Sequence, residues 1–407
     1  MNPSANRNHA KRTGTVVLCA LYGTALLLNA AAWFSPAFAD AWARGLFPVW
    51  NNTLGRLTSL FSWSVGERLI VIGLLWLGFL IVSITGSLLI ICRVIRSESN
   101  PFRPFFRATL WLVAFISLIQ TTNCFIVYHC TPLESVLFAG TADRTYTVAE
   151  LTNLRDTLVE RCNAMAETLP REDNGEIRVP AAPELATQAR HAMQQLSVRI
   201  SQIADGSASG QDGIRVLATR LSGYYVRPKG LTASGFMCQQ NMMGYYFPFS
   251  MEANYNTLMT DMNKPYTICH ELSHTHGFIY EDEANLLGFM GCMASEDPVF
   301  VYSGYLGVLN YVDNDFYRQV GREVYETHPA ISSLVRFDDT FVREEVRAAV
   351  EETALLPTEL VRAGADTFVD TTLKVNGITD GKASYSRVVG LLLRLMETYG
   401  LEMETLS

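Results

Sequence analysis

The stretch Thr267–Phe289, TICHELSHTHGFIYEDEANLLGF, holds three of the chain's seven histidines and four carboxylates, in two short segments separated by a glycine. His270 and His274 stand four residues apart, so on a helix their imidazoles leave from one face and can take neighbouring corners of a tetrahedral metal site. Glu271 is rotated one residue around, close enough to reach a water at the metal without binding the ion itself. This is the HExxH arrangement, and it predicts zinc chemistry. The metal acidifies a water and polarises a carbonyl, and Glu271 acts as general base and then as proton donor.

Such a short motif needs support from its surroundings. Gly277 suits the end of the first helix, because glycine takes the left-handed conformation most easily. Glu281, Asp282 and Glu283 then crowd the start of a second helix, so the chain is expected to fold back as a hairpin. A carboxylate on that helix would reach the open side of the histidine pair, and Glu281 is the expected third ligand. Asn285, one turn on, is placed to hold a histidine ring nitrogen, and Gly288 would let the helices approach closely. Acidic residues also favour helix N-termini for purely electrostatic reasons. Glu283 is read chiefly in that way, as a cap or a solvent-facing group, with a place at the site as the alternative. His276 is out of phase with the pair and is assigned to a loop or to support of the ligands. Cys269 and Cys292 are read as small core residues, and His129 has no evident partner.

Upstream, Tyr245–Phe249 suits a short strand that Pro248 would confine to a sheet edge, where an extended peptide can add by main-chain pairing. Glu252 and Asn254 follow it as candidates to line the cleft. Residues 148 to 205 carry two amphipathic helical patterns separated by a polar turn, a scaffold rather than a site. Farther on, the turn signals of KVNGITDGKASY (374–385) lead into an apolar helix.

The first 130 residues are of another kind. Residues 14–34, 69–92 and 108–128 are uncharged runs long enough to cross a bilayer, and three of them together argue for membrane helices rather than buried core helices. "AFAD" (37–40) resembles a signal cleavage site, but the apolar run before it is longer than a signal core and reads as an uncleaved anchor. Lys11 and Arg12 precede the first run, and Arg93, Arg96, Arg103 and Arg107 lie between the second and third. The positive-inside rule therefore puts the N-terminus in the cytoplasm and everything after about residue 130 outside. Intramembrane proteolysis is disfavoured, because Lys264, Glu271 and Glu281–Glu283 make the histidine segment too polar to sit in lipid.

The net charge of −8, without a basic patch, argues against nucleic acid as a partner. Eight cysteines without regular spacing do not form a disulfide framework or a zinc knuckle. One external disulfide stays open.

Taken together, HELSHTHGF…EDEAN, YYFPFSMEAN before it, and DPVFVYSGYL and LKVNGITDGKASYSRVVGLLL after it resemble a family of bacterial membrane-anchored, zincin-like proteins catalogued as a domain of unknown function. The resemblance covers most of the chain and implies an HExxH metallopeptidase-like domain outside the membrane. More distantly, Glu281-x-x-Ala284-Asn285 is similar to the third-ligand helix of glutamate-type zincins, which often carry Asp at the position of Asn285. His276 also departs from that pattern, which has an apolar residue there. Zincins commonly recruit a Tyr, His or Arg to stabilise the oxyanion, so the resemblance makes Tyr385 the candidate for that role, with a helix-start tyrosine that packs on the core as the competing reading. The expected fold is α+β and mainly helical, with three transmembrane helices in residues 1–130 followed by a zincin-like domain over 131–407. The expected function is zinc-dependent hydrolysis of an extracytoplasmic peptide or protein, by an enzyme held to membrane lipid through its three spans. A non-catalytic envelope sensor or assembly protein that keeps the zincin fold is the competing class.

Overall fold

A computed structural model describes residues 3–92, 100–138, 146–206, 212–376 and 387–399. The fold is mainly helical. Three helices are long and apolar enough to cross a membrane: Arg12–Phe34, Val65–Ile91 and Arg103–His129. The first and third run together, tied by Tyr22 Oη donating to the Leu110 carbonyl at 2.8 Å and Asn29 Nδ2 to Thr121 Oγ1 at 2.7 Å. The second meets the third at Trp76, whose Nε1 donates to Thr109 Oγ1. Elsewhere the second leaves leucines such as Leu74 and Leu75 well exposed, as suits a surface that faces lipid. Ser64 caps this span by accepting from the Glu67 amide.

Beyond the spans, the two scaffold patterns form helices Val148–Thr168 and Ala182–Gly206. The first opens with a reciprocal capping box between Thr147 and Glu150. They share one apolar core with three further helices, Lys264–His274, Glu281–Met293 and Pro298–Tyr325. These three are called here the histidine helix, the carboxylate helix and the long helix. A small sheet lies beside the histidine helix. Its strands β1 (Lys229–Gly230), β2 (Gly244–Phe247) and β3 (Glu252–Tyr255) are ordered β1-β3-β2, with β2 antiparallel to β3 and at the edge. Pro248 falls just past the end of β2, where its missing N–H costs no ladder bond.

Packing crosses the boundary expected near residue 130. Residues between the first two spans belong to the body of the domain. Asp40 accepts from the Thr131 amide and hydroxyl, Asn51 donates to the Tyr224 carbonyl, and Phe47 packs beside Gly277. A second apolar cluster joins Ala32 and Val127 from the span ends, and Phe47 from between the first two spans, to Met251 and Ile279 of the domain. All eight cysteines are free, and Cys269 and Cys292 are fully buried.

Candidate metal centre

Pro265 sits in the first turn of the histidine helix, where its missing N–H is an orphan donor in any case. The helix ends at His274, and Gly277 turns the chain at φ +83°. The carboxylate helix then lies back against the histidine helix. A Cβ on Gly288 would stand 3.1–3.2 Å from the backbone N, Cα and Cβ of His270, so the close approach depends on this glycine.

That packing brings His270, His274 and Glu281 together. The two Nε2 atoms are 3.1 Å apart, and a Glu281 carboxylate oxygen lies 3.3 Å from the first and 3.9 Å from the second. A tetrahedral zinc with bonds of about 2.0–2.1 Å would separate its ligand atoms by roughly 3.3 Å, so two imidazoles and one carboxylate fit a zinc ion here. His274 Nδ1 lies 2.7 Å from the Phe278 carbonyl. It donates there, which leaves Nε2 bare toward the site. Ligand atoms of His270, Glu271 and His274 all lie within 4.8 Å of one another.

Electrostatics at the cluster are those of a buried polar group with few partners. Burial pushes the Glu271 carboxyl up to about 8, with His270 opposing and Glu281 adding to the rise. One of its oxygens, Oε2, is buried with no hydrogen-bond partner. Burial also takes His274 down to about 4, against the attraction of Glu281. Burial lowers His270 as well, but the hydrogen bond and charge of Glu281, with Glu271 and Asn285, together leave it above its ordinary value. Burial raises Glu281, and the two histidines more than reverse it.

The remaining candidates separate by position. Asn285 adjoins His270, accepts from the Tyr266 hydroxyl at 3.1 Å, and keeps a buried Nδ2 without a partner. Glu283 is neither solvent-facing nor at the cluster. It is buried and accepts the Leu133 amide just past the third span, so it ties the carboxylate helix to the chain leaving that span. Glu252 and Asn254 do not line the cleft. They point to the sheet face opposite the histidine helix and are fully buried there. Glu252 accepts the Val65 and Gly66 amides at 3.0 and 2.7 Å and the Ser250 hydroxyl at 2.6 Å, and pairs with Lys229. His276 is buried and stacks on Tyr225 at 4.0 Å, a core role. Tyr385 lies outside the described residues.

Two neighbours of the site carried no usable signal along the chain. Gly244, at the start of β2, passes so close to Glu271 that a Cβ would lie 2.6 Å from its Oε1. A glycine opening an aromatic strand is a sign of close backbone approach, but it does not say what approaches. Tyr311, on the long helix, is partly exposed beside Glu281 and Asn285. A groove of about 330 Å³ is lined by Tyr311, Asn314, Tyr317 and Arg318.

The family described as "Protein of unknown function (DUF3810)" matches residues 42–393, and the chain belongs to it. The match runs from the segment after the first span to the last described helix. No curated protein and no solved structure matches the chain.

Proposed function

We propose that the protein is a membrane-anchored zinc peptidase whose zincin-like domain faces away from the cytoplasm. The observation that carries this reading is the convergence of His270, His274 and Glu281 around one point, with Glu271 beside them holding an unpartnered buried oxygen. Buried polar groups are normally paired. A carboxylate oxygen left free next to two imidazole nitrogens that converge on one point is suited to take a proton from water. A bound zinc would supply Lewis acidity to the scissile carbonyl and to that water.

The chain's own residues would do the rest. Glu271 takes a proton from water and delivers it to the departing amine, a role that its place beside the histidine pair suits. His270 and His274 present Nε2 to the ion, the latter oriented by Phe278. The free edge of β2, beside Glu271, offers main-chain groups to an extended substrate. The cytoplasmic N-terminus follows from the basic residues flanking the spans.

The test is zinc content and peptide-library hydrolysis by the full-length protein in detergent, wild type beside Glu271→Gln. Near-stoichiometric zinc in both, with hydrolysis only in the wild type, is the expected result. A well-folded wild type without zinc would sink the reading.

A further inference from the structure

We infer that the substrates are polypeptides anchored in the membrane on the N-terminal side of the bond that is cut. This rests on the peptidase reading and names the substrate class of the same site.

The direction of β2 sets the polarity of a chain bound along it. One side of this strand pairs with β3, and among the described residues no strand pairs with its other side. Its first residue, Gly244, lies against Glu271. Its second, Tyr245, meets Ser64, the residue that caps the second span. Its last, Phe247, packs on Gly66 inside that span, with its ring 2.7 Å from where a Cβ would stand. Past the strand, the Pro248 carbonyl accepts from Asn123 Nδ2 at 3.0 Å, and Tyr246 Oη donates to the Asn123 carbonyl at 3.1 Å. Asn123 belongs to the outer end of the third span. The strand therefore runs from the catalytic carboxylate down to the place where two spans meet the domain.

An extended peptide gains main-chain hydrogen bonds by adding to such an edge, and antiparallel pairing is the more stable geometry. An antiparallel guest puts its earlier residues opposite Phe247, at the span ends, and its later residues opposite Gly244, at Glu271. The step along the strand is about 3.3 Å per residue, so a linker of only a few residues joins the membrane surface to the site. A polypeptide with an N-terminal lipid or single-span anchor enters in this direction. One anchored at its C-terminus has to reverse its chain to do so. Hydrolysis adds one water: a C–O bond forms at the carbonyl carbon, the C–N bond breaks, and Glu271 passes the proton to the new amine. The product released is the C-terminal, water-soluble part.

The test uses full-length, zinc-loaded protein in lipid vesicles with three pools of model substrates. All carry the same randomised linker and the same fluorescent reporter. A single span precedes the linker in the first pool, follows it in the second and is absent from the third. The first pool should be cut at least about tenfold faster than the others, a difference of roughly 1.4 kcal/mol, at positions a few residues after the span, and not by Glu271→Gln. Equal or faster cutting of the second or third pool overturns the inference and leaves the peptidase reading in place. No cutting of any pool by zinc-loaded wild type overturns both.

Discussion

A buried carboxylate lies at each face of the small sheet, Glu252 on the sheet itself and Glu271 on the helix packed against the other side, and the two differ in how completely they are paired. On the face toward the second span, Glu252 receives two backbone amides, a serine hydroxyl and the Lys229 ammonium, and Lys229 also donates to the Thr58 carbonyl. On the face toward the histidine helix, Glu271 keeps a free oxygen, and Asn285 nearby keeps a free amide nitrogen. Burying a carboxylate oxygen without a partner costs free energy, and an ion or water bound at the histidine pair would offset that cost at Glu271. For these two carboxylates the completeness of pairing, not the residue type, distinguishes scaffold from candidate site.

Metal content should break or sharpen this contrast most. In full-length protein purified in detergent, His274→Ala and Glu281→Ala should lose essentially all zinc, whereas Glu283→Ala should keep it. Zinc retained in Glu281→Ala would mean that the third ligand is another group. Next comes Glu271→Gln, expected to lower hydrolysis by about 10²–10⁴-fold while zinc content and melting temperature stay at wild-type values. A parallel fall in melting temperature would move Glu271 to the scaffold side of the comparison.

On the scaffold face, Lys229→Met leaves Glu252 buried without its counter-ion and should cost about 3–5 kcal/mol in thermal unfolding. The double variant Lys229→Met with Glu252→Met should recover most of that loss, because an apolar pair needs no charge compensation. A double variant as unstable as the single one would show that the amide contacts to Val65 and Gly66 matter more than the ion pair. The smallest effect is expected at Asn285→Ala, a loss of about 10–100-fold in zinc affinity measured by competition with a chelator, without loss of the bound state at saturating zinc. No change at all would place Asn285 outside the ligand support.

Much of the candidate site was legible because its signals are local. The spacing of His270 and His274 needs only a helix, and the turn at Gly277 needs only a residue tolerant of positive φ. What was misread required distant partners. Glu252 and Asn254 sit two residues apart in a polar, aromatic stretch beside the motif, and sequence proximity suggested the cleft. Strand alternation puts them on the other face, where the partner is a helix almost two hundred residues earlier in the chain. Glu283, two residues from Glu281 on the same helix, is rotated away and meets Leu133 instead.

Three uncharged runs and their flanking charges, an i, i+4 histidine pair with its glutamate, and a glycine turn leading into an acidic helix start were determined by the sequence alone, because each depends on periodicity or composition within one turn or one bilayer thickness. The tertiary structure decided that Glu281 meets the histidines while Glu283 does not, that Gly244 lies on Glu271, and that the strand beside the site descends onto the second and third spans. Those are contacts between segments far apart in the chain. They depend on how helices and sheet pack their apolar faces, and no local pattern encodes which residues that packing brings together.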